Sequence, residues 1–307
     1  MNASAGPVAA IDLGTNSTRM LVVDDKGRPM MRLMRITRLG EGVDATGRLS
    51  EQAMERTIAV LSSFREQIDD LGVVRARATA TSAARDADNQ GEFARRVTAV
   101  LGTAPEVLEG AEEARLTYLG ATTGLDPAEG PYLVIDVGGG STELVGGSSP
   151  GSDAVSLEMG CVRVTERFFT NDPPLAAELD LARNYVRDLV GRAVEAHPRL
   201  GGAAMLIGVA GTVSALARLE QGLVEYDRER IHHARLSLAA IESQLDKLAV
   251  VSVEVRRSWP ALETERAGVI VGGTVVLAEA MAVLGFAALT VSESDLLDGV
   301  AAELVQS

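Results

Sequence analysis

The sequence predicts an α/β protein with two domains built on one plan. An eight-residue motif occurs twice, as IDLGTNST at positions 11–18 and as IDVGGGST at positions 135–142. Each copy lies between two apolar runs that are typical of strands, with a tight glycine turn joining them. In both halves three such strands give way to helical patterns, and 307 residues suffice for about two domains.

In the first domain the strands are followed by a helix with a clear start signal. Ser50 is predicted to cap it, and its apolar residues recur at intervals of three and four, as on one buried face. The predicted strands are 8–13, 19–23, 30–39, 73–80 and a short one near 107. The predicted helices run from Ser50 to about 71, over 89–101 and over 111–119.

The second domain repeats the three-strand opening. Its predicted strands are 132–136, 143–145, 154–159, 205–209 and 288–292, and its predicted helices start at 162, 175, 211, 238, 262 and 295. We expect the last strand and the last helix to fold back onto the first domain. The predicted domains are therefore 1–122, completed by 291–307, and 123–290, with a hinge in the glycine- and proline-containing loop 121–130.

Composition excludes several classes of function. A formal charge of −14 argues against nucleic acid, which is held largely by Lys and Arg, and 3% aromatic residues provide no base-stacking platform. One cysteine and three histidines cannot form a disulfide framework or a Cys/His zinc site. No apolar run approaches a membrane span, and residues 1–7 lack signal-peptide features, so we expect a soluble cytoplasmic protein.

The repeated turns are suited to binding phosphate. In each turn, backbone N–H groups and hydroxyls should converge on one point, and glycine permits both close approach of an anion and positive φ angles. A third turn, IGVAGT at 207–212, runs from a strand into a helix start, where unpaired N–H groups and the helix dipole favour an anion.

Together the three turns resemble those of the actin-like phosphotransferase superfamily. This resemblance implies two ribonuclease H-like domains, with mixed five-stranded sheets flanked by helices and the active site in the interdomain cleft. Four further segments resemble the exopolyphosphatase and guanosine pentaphosphate phosphohydrolase family: RLGEG at 38–42, ATSAARDADN at 80–89, EEARL at 112–116 and MGCVR at 159–163. The chain is similar to the short, two-domain members of that family.

The resemblance implies roles for individual residues. The catalytic glutamate that orients or deprotonates the attacking water falls on Glu113, with Glu112 as second choice. The acids near the metal are Asp136, Asp12 and, through water, Glu143. The implied phosphate-binding residues are Gly14, Thr15, Asn16, Ser17, Arg85, Gly138, Gly139, Gly140, Ser141, Gly211 and Thr212. The residues alone also allow simpler interpretations: Glu112 and Glu113 as acids favoured at a helix start, and Arg85 as a surface ion pair.

Two positions depart from the family pattern. Ala210 stands where a glycine is usual in the third turn, so the backbone there is expected to differ. Leu297 stands where relatives commonly carry arginine, which would remove a phosphate or interdomain contact.

The leading hypothesis is an exopolyphosphatase, a phosphoanhydride hydrolase that releases terminal orthophosphate from short-chain inorganic polyphosphate. The implied cofactor is Mg²⁺, with Mn²⁺ as an alternative and a monovalent cation such as K⁺ as an addition. Guanosine pentaphosphate is the alternative substrate. An actin-like kinase and a non-enzymatic sensor of polyphosphate or alarmone remain open. The expected partners are a small polyanion and, by family analogy, a second copy of the chain in a homodimer; no membrane or nucleic acid is expected.

Overall fold

The computed structural model describes residues 6–146 and 153–306. Residues 1–5, in the segment without signal-peptide features, lie outside the described residues, as do 147–152 and 307, so the outer ends of the predicted first domain are not described. The described chain divides into two compact units, one of residues 6–120 with 296–306 and the other of 121–146 with 153–295. The domain limits expected from the sequence stay a prediction.

The first unit is built on a five-stranded mixed sheet in the order β3-β2-β1-β4-β5. β1, β2 and β3 pair antiparallel, whereas β4 and β5 continue from β1 in parallel. The strands are β1 Val8–Leu13, β2 Ser17–Val23, β3 Pro29–Ile36, β4 Arg75–Ala80 and β5 Glu106–Val107. β1 has the bounds that the sequence predicted.

Alternation along β1 explains where this unit keeps its core. Ala9, Ile11 and Leu13 belong to one buried apolar cluster, and Val8 and Ala10 belong to another. Since successive strand residues point to opposite faces, the central strand is covered on both sides.

Helices supply that cover. Ser50 caps the long helix as predicted, its hydroxyl accepting from the Ala53 N–H at 3.2 Å. The C-terminal helix packs against β1 and β2, as the sequence also predicted. The helices of this unit are α1 Val43–Thr46, α2 Glu51–Asp70, α3 Ser82–Arg85, α4 Gln90–Leu101, α5 Gly110–Ala121, whose last residue falls in the second unit, and α13 Leu296–Gln306.

The second unit has six strands rather than the expected five, in the order β10-β11-β9-β6-β7-β8. The strand that was not expected is β10, which is three residues long and pairs antiparallel with β11. The expectation that the last strand joins the first unit is wrong, because β11 pairs in parallel with β9. The strands are β6 Tyr132–Val137, β7 Thr142–Gly146, β8 Asp153–Leu157, β9 Met205–Val209, β10 Arg235–Ser237 and β11 Ala288–Val291.

One predicted helix of this unit starts later than expected. The helix predicted to start at 262 begins only at Ile270, because residues 264–266 form a separate 3₁₀ turn. The helices are α6 Cys161–Phe168, α7 Ala176–Ala196, α8 Ala210–Gln221, α9 Arg228–Ile231, α10 Leu238–Ala249, α11 Val253–Arg257 and α12 Ile270–Leu284. Three 3₁₀ turns occupy Pro127–Glu129, Pro198–Gly202 and Thr264–Arg266. Within the described ranges, no helix is both long enough and apolar enough to cross a bilayer.

Candidate phosphate-binding and catalytic residues

The first glycine turn lies between β1 and β2, as predicted. The Gly14 N–H donates to the Ser17 carbonyl oxygen at 3.0 Å, and a Cβ atom at Gly14 would lie 2.9 Å from that oxygen. Glycine is therefore required here by close approach. The expected positive φ is absent from Gly14, Gly138 and Gly211 alike.

Neighbouring segments hold this turn in place. The Thr15 and Ser82 hydroxyls are 2.9 Å apart, and the Gly40 N–H donates to the Thr15 carbonyl oxygen at 2.9 Å. Both polar atoms of the Asn16 side chain are buried and have no hydrogen-bond partner among the described residues. Because buried polar groups are normally satisfied, an amide in this state is suited to binding a ligand.

The acid that ends β1 is paired with a cation. Asp12 is 2% exposed, and Arg19, its register partner on β2, donates to Asp12 Oδ2 from Nε at 3.0 Å and from Nη2 at 2.7 Å. A guanidinium bound in this way already neutralises the carboxylate. Both donors bond to the same oxygen, and the place of Asp12 beside a metal stays a prediction.

The two glutamates at the start of α5 have different environments. Glu112 is half-buried and forms two 2.8 Å hydrogen bonds with Arg115, which keep the pKa of the Glu112 carboxyl below its usual value. Glu113 is 7% exposed, and its Oε2 lies 3.4 Å from Arg85 Nη1. Arg85 also donates to the Leu108 carbonyl oxygen at 2.9 Å. Arg85 thus forms a partly buried pair with the predicted catalytic glutamate, rather than the surface pair considered as an alternative.

The second hairpin repeats the first with one chemical difference. The residue opposite Asp136 in the register is Glu143, whereas the residue opposite Asp12 is Arg19. Asp136 is 8% exposed and Glu143 only 1%, and Glu143 Oε1 accepts from the Ser156 hydroxyl at 2.7 Å. Two acids facing each other across a buried hairpin favour a bound cation.

The N-terminus of α6 supports the second glycine turn. The Cys161 and Val162 N–H groups donate to the Gly138 and Gly139 carbonyl oxygens, each at 2.8 Å. A Cβ atom at Gly160 would overlap the Gly139 carbonyl group. Because the carbonyl groups of the turn accept hydrogen bonds from α6, the N–H groups of the turn are directed elsewhere and can bind an anion.

A further brace comes from Arg163, whose Nε donates to the Gly140 carbonyl oxygen at 2.8 Å. Its Nη2 lies 2.7 Å from Glu158 Oε2. A Cβ atom at Gly138 would lie 3.0 Å from the Ser141 carbonyl oxygen, which matches the close approach at Gly14 in the first turn.

The third turn keeps a glycine-like conformation without the glycine. Ala210 has φ 71°, in the left-handed region, and Gly211 and Thr212 follow at the start of α8. The guanidinium of Arg266 lies flat against Gly211, where a Cβ atom would overlap it. Arg266 is 5% exposed, and no described residue accepts a hydrogen bond from its Nη1 or Nη2.

The predicted residues divide between the two units. The first unit holds Asp12, Gly14, Thr15, Asn16, Ser17, Arg85, Glu112 and Glu113, and the second holds Asp136, Gly138, Gly139, Gly140, Ser141, Glu143, Gly211 and Thr212. Within the described ranges, no three or more His, Cys, Asp or Glu residues are grouped to hold a metal ion. Mg²⁺ usually takes one or two carboxylates together with water and phosphate oxygens.

Comparison with known proteins identifies the family. The sequence model of the Ppx/GppA phosphatase family matches residues 21–307. The chain belongs to the Ppx/GppA phosphatase family. It is 40% identical to Exopolyphosphatase 2 of Mycobacterium tuberculosis, over 97% of this chain and 98% of that protein.

Solved structures agree with this membership. A crystal structure of an exopolyphosphatase-like protein is similar with a TM-score of 0.89 and 36% identity, covering 98% of this chain and 99% of that one. The Ppx/GppA member of Aquifex aeolicus is similar with a TM-score of 0.80 and 32% identity, covering 98% of both chains. The predicted family, the two-domain α/β fold of mixed sheets and the phosphoanhydride hydrolase class are confirmed. A metal requirement is general among phosphatases of the Ppx/GppA family.

Sequence reasoning missed three residues of this Ppx/GppA protein. Arg19 could have been found from its position, since a hairpin turn places it opposite Asp12. Gly160 lies in the MGCVR segment, whose only signal in the sequence is its family resemblance. Arg266 carried no signal, because its place beside Gly211 depends on a 3₁₀ turn 55 residues further along the chain.

Proposed function

We propose that this chain is an exopolyphosphatase that removes the terminal phosphate of short-chain inorganic polyphosphate. The observation that carries the proposal is the buried carboxylate of Glu113 in the first turn of α5, close to Arg85. A carboxylate beside a cation and in the first turn of a helix can orient water. Phosphoryl transfer needs this positioning and charge neutralisation more than it needs covalent chemistry.

In the proposed reaction, Glu113 orients a water molecule and accepts its proton as the water oxygen bonds to the terminal phosphorus. The bridging P–O bond breaks, and the shortened polyphosphate leaves. Glu112 is assigned a structural part, because both its oxygens bind Arg115. Arg85 pairs with Glu113 and is assigned a second part in binding phosphate.

Phosphate oxygens would be bound by the backbone N–H groups and hydroxyls of the three turns. Arg266 adds a forked cation at the third turn, since both its terminal nitrogens are available for hydrogen bonding. The buried amide of Asn16 adds a donor at the first turn. These local donors explain how a chain of net charge −14 can bind a polyanion.

We assign the metal to Asp136, with Glu143 acting directly or through water. The opposed pair of acids in the second hairpin supports this assignment, whereas the Asp12–Arg19 pair does not favour a cation in the first. A bound Mg²⁺ or Mn²⁺ would neutralise charge on the phosphate oxygens. K⁺ as a further activator, the cytoplasmic location and the homodimer remain parts of the proposal.

The test is orthophosphate release from tripolyphosphate in the presence of Mg²⁺, with guanosine pentaphosphate and ATP as parallel substrates. We expect release from tripolyphosphate, and we expect Asp136→Asn to need more Mg²⁺ and to lose about a hundredfold in rate. Asp246→Asn, an exposed acid on α10, is the matched control and should behave as wild type. No release with either Mg²⁺ or Mn²⁺ would refute the proposal, and faster turnover of guanosine pentaphosphate would replace the substrate.

A further inference from the structure

One carboxylate in the second unit joins two buried arginines. Glu263 Oε2 accepts from Arg266 Nε at 2.9 Å, and Glu263 Oε1 lies 3.2 Å from Arg218 Nη1. The side chains of Arg266 and Arg218 are 6% and 8% exposed, and that of Glu263 is 30% exposed. Each oxygen of Glu263 therefore serves a different guanidinium.

Both arginines are related to the third turn. Arg266 lies against Gly211 at the start of α8, and Arg218 lies seven residues further along the same helix, about 10 Å at a rise of about 1.5 Å per residue. Arg218 is anchored at its other end, where Nη2 donates to the Val224 carbonyl oxygen at 3.0 Å. Arg266 faces the first turn of α8, and Glu263 thus links it to Arg218, which is anchored further along the same helix.

The charges explain why this link matters. Two buried guanidinium groups with one carboxylate carry a net charge of +1, and buried charges need partners. Removing the carboxylate would leave both cations uncompensated, so Arg266 would turn towards solvent. The N-terminal turn of α8 would then lose the cation that lies beside it.

We propose that Glu263 is a positioning residue that fixes the Arg266 guanidinium against Gly211 for binding phosphate. This inference rests on the proposed function, in which Arg266 binds a phosphate of the substrate. Glu263 does not contact the substrate in this account. It acts through Arg266, and Arg218 is the anchor on the other side.

The experiment compares Glu263→Ala and Glu263→Gln with wild type in the full-length protein. Both turnover of tripolyphosphate and calorimetric binding of tripolyphosphate are measured. Since charge-assisted hydrogen bonds are among the strongest, we expect KM and Kd to rise about tenfold while kcat changes less than about threefold. Gln offers only one oxygen for two arginines, so Glu263→Gln should fall between Ala and wild type.

The control is Glu242→Gln, since Glu242 has a similar exposure of 37% and pairs with Arg183 outside the three turns. It should leave KM unchanged. A double-mutant cycle with Arg266→Ala separates positioning from general stabilisation: Glu263→Ala should add nothing when Arg266 is already absent.

Unchanged KM and Kd in Glu263→Ala would overturn the inference. It would also be overturned if Glu263→Ala raised KM and Kd as much in the Arg266→Ala background as in the wild-type background. If Glu263→Ala fails to fold, the same comparison is made with Glu263→Gln. Wild-type protein that binds tripolyphosphate without hydrolysing it would refute the proposed function while the binding data still test Glu263. Wild-type protein that does not bind tripolyphosphate would refute both.

Discussion

Ala210 is one of three residues other than glycine that have a positive φ in the part of the chain that the structure describes. Its φ of 71° is in the left-handed region, which costs an L-residue about 1–2 kcal/mol and costs glycine nothing. The family pattern led us to expect a changed backbone at this position. Instead the turn keeps the glycine-like conformation, and the alanine carries the strain.

Ala210→Gly should therefore stabilise the protein. Relief of strain outweighs the conformational entropy that glycine loses on folding, so the free energy of unfolding should rise by about 0.5–1 kcal/mol. Urea denaturation would show this as a higher midpoint at an unchanged slope. Ala215→Gly, inside the same helix, should instead lower stability by about 1 kcal/mol or more. Equal losses in the two variants would show that Ala210 is not strained.

Leu297, which stands where relatives commonly carry arginine, is part of the apolar core. It is fully buried in the cluster that contains Leu21 and Leu116. An arginine at this position would place its charge among these apolar side chains unless the helix shifted. Leucine at this position therefore adds apolar packing. The expected loss of a phosphate contact stays a prediction.

At the scale of elements, the contact between α13 and α5 connects the C-terminal helix to Glu113, the proposed catalytic glutamate. Gly299 of α13 lies so close to α5 that a Cβ atom would overlap the Leu116 carbonyl group. Arg115 of α5 also pairs with Glu303 of α13. Because Glu113 lies in the first turn of α5, its position depends on this packing.

Gly299→Ala should consequently reduce both stability and activity. Forcing a methyl group into this contact costs about 1–3 kcal/mol and displaces α5, so we expect kcat to fall about tenfold. Thermal unfolding and phosphate-release assays measure the two effects. Gly191→Ala is the control, because nothing lies within 4 Å of a Cβ atom at Gly191 in α7. That variant should gain about 0.5–1 kcal/mol, and a similar gain in Gly299→Ala would contradict the account.

At the scale of the whole molecule, short-range patterns predicted most of the fold. The two hairpins were found because each motif and its strands lie within about 20 residues, and Ser50 marked the start of α2 correctly. β10 was missed because a strand of three residues is too short to show an alternating pattern. The sheet to which β11 belongs was predicted wrongly, because it is decided by the pairing of β11 with β9. Such pairings are set by tertiary contacts that no local pattern records.

The same distinction applies to the candidate site. Glycines and acids beside strands could be predicted, since their spacing follows from hairpin geometry. Local sequence could not separate Glu112 from Glu113, because both begin one helix; only the neighbours Arg115 and Arg85 distinguish them. Arg266 was missed for the same reason, since its place beside the third turn is a tertiary contact.

The proposed role of Glu113 in orienting the attacking water is tested most directly by one measurement. Orthophosphate release from tripolyphosphate is compared for wild type, Glu113→Gln and Glu112→Gln, with circular dichroism confirming the fold of each. We predict that Glu113→Gln loses about a hundredfold or more in kcat, as expected for a general base, and that Glu112→Gln stays within about threefold of wild type. A Glu113→Gln enzyme that turns over at the wild-type rate would contradict the account.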